Sequence, residues 1–200
     1  ISIVIPCYNE EKRITKTVKK IASYITTKRI NIELILINDG SIDKTQEVLY
    51  SLREEHVNNK LMIIKITSYG KNYGKGYAIK QGIMQATGKY ILLCDADLST
   101  PIAELDKLMM YIDDYDLVLG SRKSINSKIL KSQSFHRTIL GKTYSIMSRI
   151  ILNVPLNDFT CGFKLIKSNP AKKMVRKMSI NRWGYDSELL KIAAIHNFKI

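Results

Sequence analysis

The 200-residue chain has few of the features of disulfide-rich miniproteins or of membrane-spanning proteins. It contains three cysteines, four prolines and one tryptophan, and no apolar run approaches the roughly 18 to 20 residues that cross a bilayer. Cys7, Cys94 and Cys161 lie far apart, inside or beside apolar segments. This predicts buried thiols in a reducing compartment rather than a disulfide framework. The composition, 45% hydrophobic and 25% charged, excludes a disordered tail and suits one full core.

Two common phosphate-binding motifs are also missing. The stretch GKNYGKG at 70–76 has three residues between Gly70 and Gly74, whereas a Walker A loop needs four, and Gly76 stands where its Ser or Thr should be. No GxGxxG opens the first predicted helix. A P-loop enzyme and a dinucleotide-binding oxidoreductase are therefore not expected.

Acidic residues are scarce in one part of the chain. The net charge is +14, and residues 117–185 hold fourteen Lys or Arg against a single acid, Asp158, which gives 14 − 1 = +13. Such segregation predicts a face that meets polyanions, namely nucleic acid, phosphorylated substrates or an anionic membrane surface. The alternative is a solvated face in a Lys-rich chain.

Short apolar runs alternate with helix-period segments over the first 120 residues. Ile14, Val18, Ile21 and Ile25 recur at helical spacing. The alternation predicts βαβ units, an α/β fold with a mostly parallel sheet, and a ligand site beyond the carboxyl ends of the strands. We predict strands at 1–5, 32–37, 61–66, 90–94 and 116–120.

Polar segments follow several of these strands. Asp95 and Asp97 come after the fourth strand, and on an extended backbone both carboxylates would project to the same side. Paired carboxylates suit Mg²⁺ or Mn²⁺ bridging a diphosphate. The DxD pattern alone is weak, but Pro101 at a predicted helix start strengthens it.

The segment NDGS at 38–41 has two interpretations that can hold together. Asp39 can accept a hydrogen bond from a nucleobase or ribose, or the segment is turn and N-cap chemistry, with Ser41 or Asp43 opening a helix. Glu10 is likewise either a complement to a helix dipole or a ligand contact.

Taken together and in order, these segments resemble a known family. IVIPCYNE, INDGSIDKT, NYGKGYAIKQG, DADLSTP, GSR, DFTCGFKLI and RWGYDSELL are similar to family 2 glycosyltransferases of GT-A fold, in the branch of dolichyl-phosphate glucosyltransferases and polyprenyl-phosphate sugar synthases. The resemblance implies a three-layer α/β/α catalytic domain over 1–200. It also implies inverting, metal-dependent transfer of a hexose, glucose from UDP-glucose, to a polyprenyl or dolichyl phosphate.

The resemblance also assigns site residues, position by position. It places Arg122 at the donor diphosphate and acceptor phosphate, with Ser134 and Arg137 at the acceptor phosphate, and it places Asp186 at the acidic position of the late segment. Ser99 stands where related mannose synthases often have a metal-ligating Gln. The nucleotide positions are Pro6, Tyr8, Glu10, Asp39, Asp95, Ala96 and Asp97, of which Asp95 and Asp97 also hold Mg²⁺ or Mn²⁺.

The resemblance also implies catalytic roles, with more than one possibility for Asp186. Asp97, through the metal, and Arg122 would stabilise the departing diphosphate. A phosphate acceptor is already largely anionic at neutral pH, so Asp186 would orient the sugar or acceptor. With a hydroxyl acceptor Asp186 would be the leading base candidate. The alternative is that Asp186 and Glu188 simply complement a helix dipole.

A basic amphipathic pattern spans 134–152. It predicts either a helix docked on an anionic membrane, with the prenyl tail kept in lipid, or an ordinary core-facing helix. We expect the protein at the cytoplasmic face of a membrane. Because the sequence begins at Ile1 without Met, we also expect truncated termini whose missing segments carry any anchors.

Three other functions compete with this one. A nucleic-acid-binding module fits the charge but lacks a nucleic-acid-binding motif, so no nucleic-acid partner is expected. A family 2 transferase that uses GDP-mannose, or acts on a saccharide hydroxyl, differs by a few pocket contacts. A sugar-nucleotide pyrophosphorylase would carry a Gly-rich turn where this chain has PCYNE.

Overall fold

The computed structural model describes residues 1–121, 149, 158–159 and 161–200. Within them, six strands form one sheet with the order β3-β2-β1-β4-β6-β5. The strands are β1 (Ser2–Cys7), β2 (Ile32–Asp39), β3 (Met62–Tyr69), β4 (Tyr90–Leu93), β5 (Leu117–Leu119) and β6 (Lys164–Lys167). The helices are α1 (Ile14–Lys28), α2 (Thr45–Glu55), α3 (Lys75–Gln85), a 3₁₀ turn (Ile102–Glu104), α4 (Leu105–Met109), α5 (Ser168–Lys177) and α6 (Tyr185–Ile195).

The sheet is parallel on one side and antiparallel on the other. β1 pairs in parallel with both β2 and β4, and β2 with β3. β6 is antiparallel to both β4 and β5. All five predicted strands are present with small boundary shifts, and the helix predicted from its four isoleucine and valine positions is α1. β6 was not among the predicted strands.

Alternate residues along each strand face opposite layers, as a sheet covered on both faces requires. Ile3, Leu34 and Leu92 pack in the core shared with α1, α2 and α4. Val4 and Ile35 pack in the core shared with α3, α5 and α6. The predicted three-layer α/β/α arrangement is therefore confirmed.

The three cysteines are buried and form no disulfide, as expected. Burial, and then the charge of Glu10, raises the pKa of the Cys7 thiol far above its ordinary range. Such thiols are poor nucleophiles. None of the helices in the described part of the chain is long and apolar enough to cross a membrane.

A buried carboxylate ties the amino-terminal edge of the sheet together. Glu33 accepts hydrogen bonds from Lys65 (2.6 Å), from the Ser2 hydroxyl, and from the backbone and hydroxyl of Thr87. Burial alone would raise the pKa of Glu33, but these bonds outweigh it and lower the pKa to about 2. This edge lies opposite the predicted ligand site, and the hydrogen bonds of Glu33 there stabilise the fold.

Candidate active site

The loops that follow β1 and β2 are hydrogen-bonded into one surface. The Asn9 N–H donates to the Ser41 hydroxyl at 3.0 Å, and the Asn9 side-chain oxygen accepts from the Ile42 N–H at 3.0 Å. The Glu10 N–H donates to the Thr45 hydroxyl at 2.7 Å. The two segments that the resemblance assigns to the nucleoside thus meet at the carboxyl edge of the sheet.

Two residues of this surface have clear side-chain environments. Tyr8 is about half exposed. The Glu10 carboxylate forms a bidentate ion pair with Arg13, at 2.7 and 2.8 Å. Burial raises the pKa of Glu10, against the lowering effect of Arg13. Glu10 therefore holds Arg13 in place, and its assignment to the nucleotide stays a prediction.

Helix α2 begins one residue later than the N-cap interpretation predicted. Its N-cap position is Lys44, which makes no side-chain capping hydrogen bond, so neither Ser41 nor Asp43 is the N-cap. The Asp43 carboxylate, one residue before Lys44, accepts from the N–H of Thr45, the first residue of α2, at 3.0 Å. The Ser41 hydroxyl instead accepts from the Asn9 N–H and joins the two loops.

Asp39 anchors the Gly-rich loop that follows β3. It is only 3% exposed, and its two carboxylate oxygens accept from the N–H groups of Tyr73 (2.9 Å) and Gly74 (2.8 Å). This role was not predicted, because the partners are 34 and 35 residues away. The assignment of Asp39 to the nucleoside stays a prediction.

The Gly-rich loop and the late RWGYD segment pack directly together. A Cβ on Gly76 would lie 2.5 Å from the Ile180 carbonyl oxygen, and one on Gly74 would lie 2.5 Å from the Asn181 carbonyl oxygen. The Tyr77 N–H donates to that Asn181 oxygen at 2.9 Å. The glycines make room for backbone rather than for a ligand phosphate.

Lys75 and Asp95 connect three of the family-like segments. The Lys75 ammonium lies 2.5 Å from the Asp95 carboxylate and about equally far from two rings, 5.5 Å from Trp183 and 5.8 Å from Tyr185. A Cβ on Gly162 would lie 2.4 Å from the other Asp95 oxygen. Asp95 is therefore enclosed by the Gly-rich loop on one side and the CGF segment on the other.

Asp97 lies on a turn rather than on a strand. The chain turns at 96–97, with the Leu98 N–H donating to the Asp95 carbonyl at 3.0 Å and a positive φ of 48° at Leu98. The prediction of an extended backbone through Asp97 was therefore wrong, and the shared metal site of Asp95 and Asp97 stays a prediction. Asp97 instead accepts from the N–H and hydroxyl of Ser99, at 2.9 and 2.7 Å, and lies beside α1.

Asp186 belongs to a buried ion pair. It lies in the first turn of α6, where an acid complements the helix dipole, and its carboxylate accepts from the fully buried ammonium of Lys164 on β6. Lys164 also donates to the Cys161 carbonyl at 2.5 Å. Lys164 was not among the predicted site residues, because nothing in the FKLI run indicates that its lysine points inward.

Glu188, the second acid of α6, has a structural partner. Its carboxylate accepts from the N–H and hydroxyl of Ser179 and from the N–H of Ile180, at 2.6 to 2.9 Å. Burial alone would raise the pKa of Glu188, but these bonds lower it. Glu188 thus fixes the segment that packs on Gly76.

Pro6, also assigned to the nucleotide, lies near the carboxyl end of β1. Three assigned residues lie outside the described residues, namely Arg122, Ser134 and Arg137, as does the amphipathic pattern at 134–152 apart from Arg149. Their proposed contacts with the donor diphosphate, the acceptor phosphate and the membrane stay predictions.

The described carboxylates fit a divalent cation in part. No group of three or more His, Cys, Asp or Glu side chains capable of holding a metal occurs among the described residues. Asp97 is exposed, and Ser99 occupies only one of its oxygens. An exposed carboxylate with a free hard oxygen suits Mg²⁺ or Mn²⁺, which take their other ligands from substrate phosphates and water.

Comparison with known proteins identifies the family. Residues 2–175 match the family described as Glycosyl transferase family 2. The chain belongs to this family. It is 31% identical to the human dolichyl-phosphate beta-glucosyltransferase over its full length, and 29% identical to the Drosophila melanogaster protein of the same name over 96% of its length. The chain spans 64% and 62% of those two relatives.

Solved structures of glycosyl-transferring enzymes show the same fold. A glucosyl-3-phosphoglycerate synthase from Mycobacterium tuberculosis, in complex with Mn²⁺, UDP-glucose and phosphoglyceric acid, aligns with a TM-score of 0.68 at 18% identity over 98% of this chain and 65% of its own. A mannosyltransferase from Pyrobaculum calidifontis, in complex with GDP-mannose and Mn²⁺, aligns with a TM-score of 0.66 at 18% identity, over 99% of this chain and 52% of its own. This family 2 chain therefore has the GT-A fold.

Proposed function

We propose that this family 2 chain is the catalytic domain of a glucosyltransferase that moves glucose from UDP-glucose to dolichyl phosphate or a similar polyprenyl phosphate. The observation that carries the proposal is the meeting of the family-like segments at one edge of the sheet, around Asp39, Asp95 and Asp97. The names of the relatives, dolichyl-phosphate beta-glucosyltransferase, supply the donor sugar and the acceptor.

The proposed reaction exchanges one bond at the anomeric carbon for another. An oxygen of the acceptor phosphate attacks that carbon, the bond to the β-phosphate oxygen of UDP breaks, and UDP leaves with the electron pair, so that the configuration inverts. The second pKa of a phosphate monoester is about 6, so the attacking oxygen is already largely anionic at neutral pH and needs no base. Asp97, with Asp95, would hold Mg²⁺ or Mn²⁺, and the bound ion would supply charge neutralisation at the departing diphosphate.

The surroundings of Asp186 favour a phosphate acceptor over a hydroxyl acceptor. One oxygen of its carboxylate is committed to Lys164, and the side chain is only 13% exposed. A general base needs an accessible oxygen within hydrogen-bond reach of the acceptor proton. A positioning role for Asp186 is therefore the simpler assignment.

The proposal also places the enzyme at a membrane. Its lipid acceptor would be presented at the cytoplasmic face, and the basic residues of 117–185 would attract anionic head groups. The relatives are named as glucosyltransferases, and the aligned Mycobacterium tuberculosis synthase holds UDP-glucose, which supports a uracil nucleotide in the donor pocket.

A donor panel with a carboxylate variant tests the function. UDP-glucose with Mn²⁺ should raise the melting temperature, because a ligand that binds only the native state stabilises it by about 2.7 kcal/mol at 100 times its Kd. Asp97→Asn should lose the Mn²⁺ dependence of this shift and reduce transfer to dolichyl phosphate by at least roughly 100-fold. Asp114→Asn, an exposed acid ahead of β5 at the opposite edge, is the matched control.

Three results would each contradict the proposal. The first is near-normal transfer by the Asp97 variant. The second is a larger shift with GDP-mannose than with UDP-glucose. The third is transfer to a saccharide hydroxyl in preference to the lipid phosphate.

A further inference from the structure

A groove lies between the start of α1 and the turn that carries Asp97. Its volume is about 360 Å³, which is within the range of small-molecule sites. Four basic side chains and a single carboxylate line it. The lining residues are Lys12, Arg13, Lys16, Thr17, Lys20 and Asp97.

The four cations of the groove differ in their pairing. Arg13 is paired with Glu10, but among the residues that the structure describes, none makes an ion pair with Lys12, Lys16 or Lys20. Positions four residues apart share one helix face, and like charges there repel each other. A cluster of this kind gains from binding an anion.

The wall of the groove is held rigidly against the sheet. The Thr17 hydroxyl donates to the Ala96 carbonyl at 2.6 Å, which joins α1 to the turn before Asp97. Ile14 and Val18 on the inner side of α1 are fully buried. The lysines therefore stand on a fixed surface, and the groove exists before any ligand binds.

The groove adjoins the proposed donor site at Asp97 and at Arg13, which pairs with Glu10. Its lysines lie on the α1 side of that turn, whereas Asp95 and Asp39 contact the Gly-rich loop. An anion in the groove would therefore meet the α1 lysines on the far side of Asp97 from Lys75.

We propose that this α1 groove is a phosphate-binding site in addition to the donor site, and that its ligand carries a phosphate mono- or diester. Lysine ammonium groups are strong point-charge donors to phosphate. The phosphate comes either from a lipid head group, since the groove opens near the carboxyl edge where the proposed lipid acceptor arrives, or from a soluble phosphate compound. Asp97 opposes the anion at one end of the groove.

Asp97 lies in the groove and in the proposed donor site, so its substitution affects both. Without a divalent cation, Asp97→Asn removes a repulsive charge, so inorganic phosphate should bind more tightly. The same variant should bind UDP with Mn²⁺ more weakly. Only the lysines that line the groove away from Asp97 distinguish the groove from the donor site.

The direct test compares two pairs of substitutions with equal loss of charge. Lys16→Gln with Lys20→Gln empties the groove of two ammonium groups. Lys19→Gln with Lys173→Gln removes two exposed lysines that do not line the groove. Because all four side chains are outside the core, both variants should fold, and matching melting temperatures check this.

Titration with inorganic phosphate at constant ionic strength, without metal, is followed by the amide NMR shifts of residues 12–20 and 96–99. We expect saturable shifts in the unchanged chain and in the control pair, and at least a roughly tenfold weaker affinity in the groove pair. Binding of UDP with Mn²⁺ should be equal in all three proteins. A failed donor assay would therefore not affect the result of the phosphate titration. A failed phosphate titration would likewise not affect the donor assay.

Vesicle sedimentation then distinguishes the source of the phosphate. Retention on phosphatidylcholine vesicles that contain phosphatidic acid, reduced about 30-fold in the groove pair, assigns the site to a lipid head group. Phosphate binding without such retention assigns it to a soluble ligand. The proposal is overturned if phosphate causes no saturable shifts, or if the groove pair and the control pair weaken equally.

Discussion

The ion pair between Lys164 and Asp186 gives the sharpest test of the structure. Lys164 is fully buried on β6, and its ammonium is shared between the Asp186 carboxylate and the Cys161 carbonyl. Lys164→Met keeps the apolar stem but leaves the Asp186 carboxylate, 13% exposed, without its counter-charge. Breaking one side of a buried pair costs about 3–5 kcal/mol, a large part of the about 5–15 kcal/mol that stabilises a typical domain.

A double-mutant cycle turns this cost into a measurement. Asp186→Asn alone leaves the ammonium of Lys164 buried without a charge partner and should be similarly destabilising. The double variant removes both charges, so we expect it to cost less than the sum of the two single variants by at least about 2 kcal/mol. Urea unfolding followed by far-UV circular dichroism is the suitable assay, because Trp183 is 82% exposed and its fluorescence would report the transition poorly.

An exposed ion pair supplies the control. Lys107 pairs with Glu104 at 2.7 Å, with 70% of the lysine side chain in solvent, so Lys107→Met should cost less than about 1 kcal/mol. Single-variant costs that add to the double-variant cost within about 0.5 kcal/mol would show that the two charges do not interact. The buried pair, and with it the placement of Asp186 beside the CGF segment, would then be refuted.

Two further predictions concern stability alone. Because the folded pKa of Glu33 is lowered to about 2 from an ordinary 4.5, its contribution is present above the ordinary value and lost as the pH falls from 4.5 toward 2. The full shift corresponds to about 3 kcal/mol; Lys65 is 38% exposed and screened by water, so we expect about 2 kcal/mol. Urea midpoints measured across this pH range should lose that dependence in Glu33→Gln, and an unchanged slope would contradict the assignment. Gly76→Ala should destabilise the chain by about 1–3 kcal/mol, because its Cβ would meet the Ile180 carbonyl, whereas Gly70→Ala has nothing within 4 Å and should be nearly neutral; equal melting temperatures would refute the packing.

The parts of the fold that were predictable are those set by local periodicity. Ile14, Val18, Ile21 and Ile25 are all fully buried on one side of α1, because a 3.6-residue repeat of apolar side chains forms a continuous stripe. The buried parallel strands are likewise visible as short β-branched runs. Both patterns can be recognised from residues that lie close together in the sequence.

The parts that were missed depend on partners far along the chain. β6 is four residues long and contains two lysines, and the inward direction of Lys164 is decided by Asp186, 22 residues later. Asp39 accepts from a loop more than 30 residues away. The direction of Asp97 follows from a turn with a positive φ at Leu98, a conformation that a leucine side chain does not signal.

The glycines of the Gly-rich loop have a structural reason other than the phosphate binding that such motifs usually indicate. Its spacing excludes a Walker A loop, and the structure gives another reason for Gly74 and Gly76: each lies where the backbone of 180–182 approaches too closely for a Cβ. That approach brings Trp183 and Tyr185 over Lys75, which in turn reaches Asp95. The glycines therefore act on the site through packing, since any side chain there would push the late segment, and Asp186 with it, away from the strand ends.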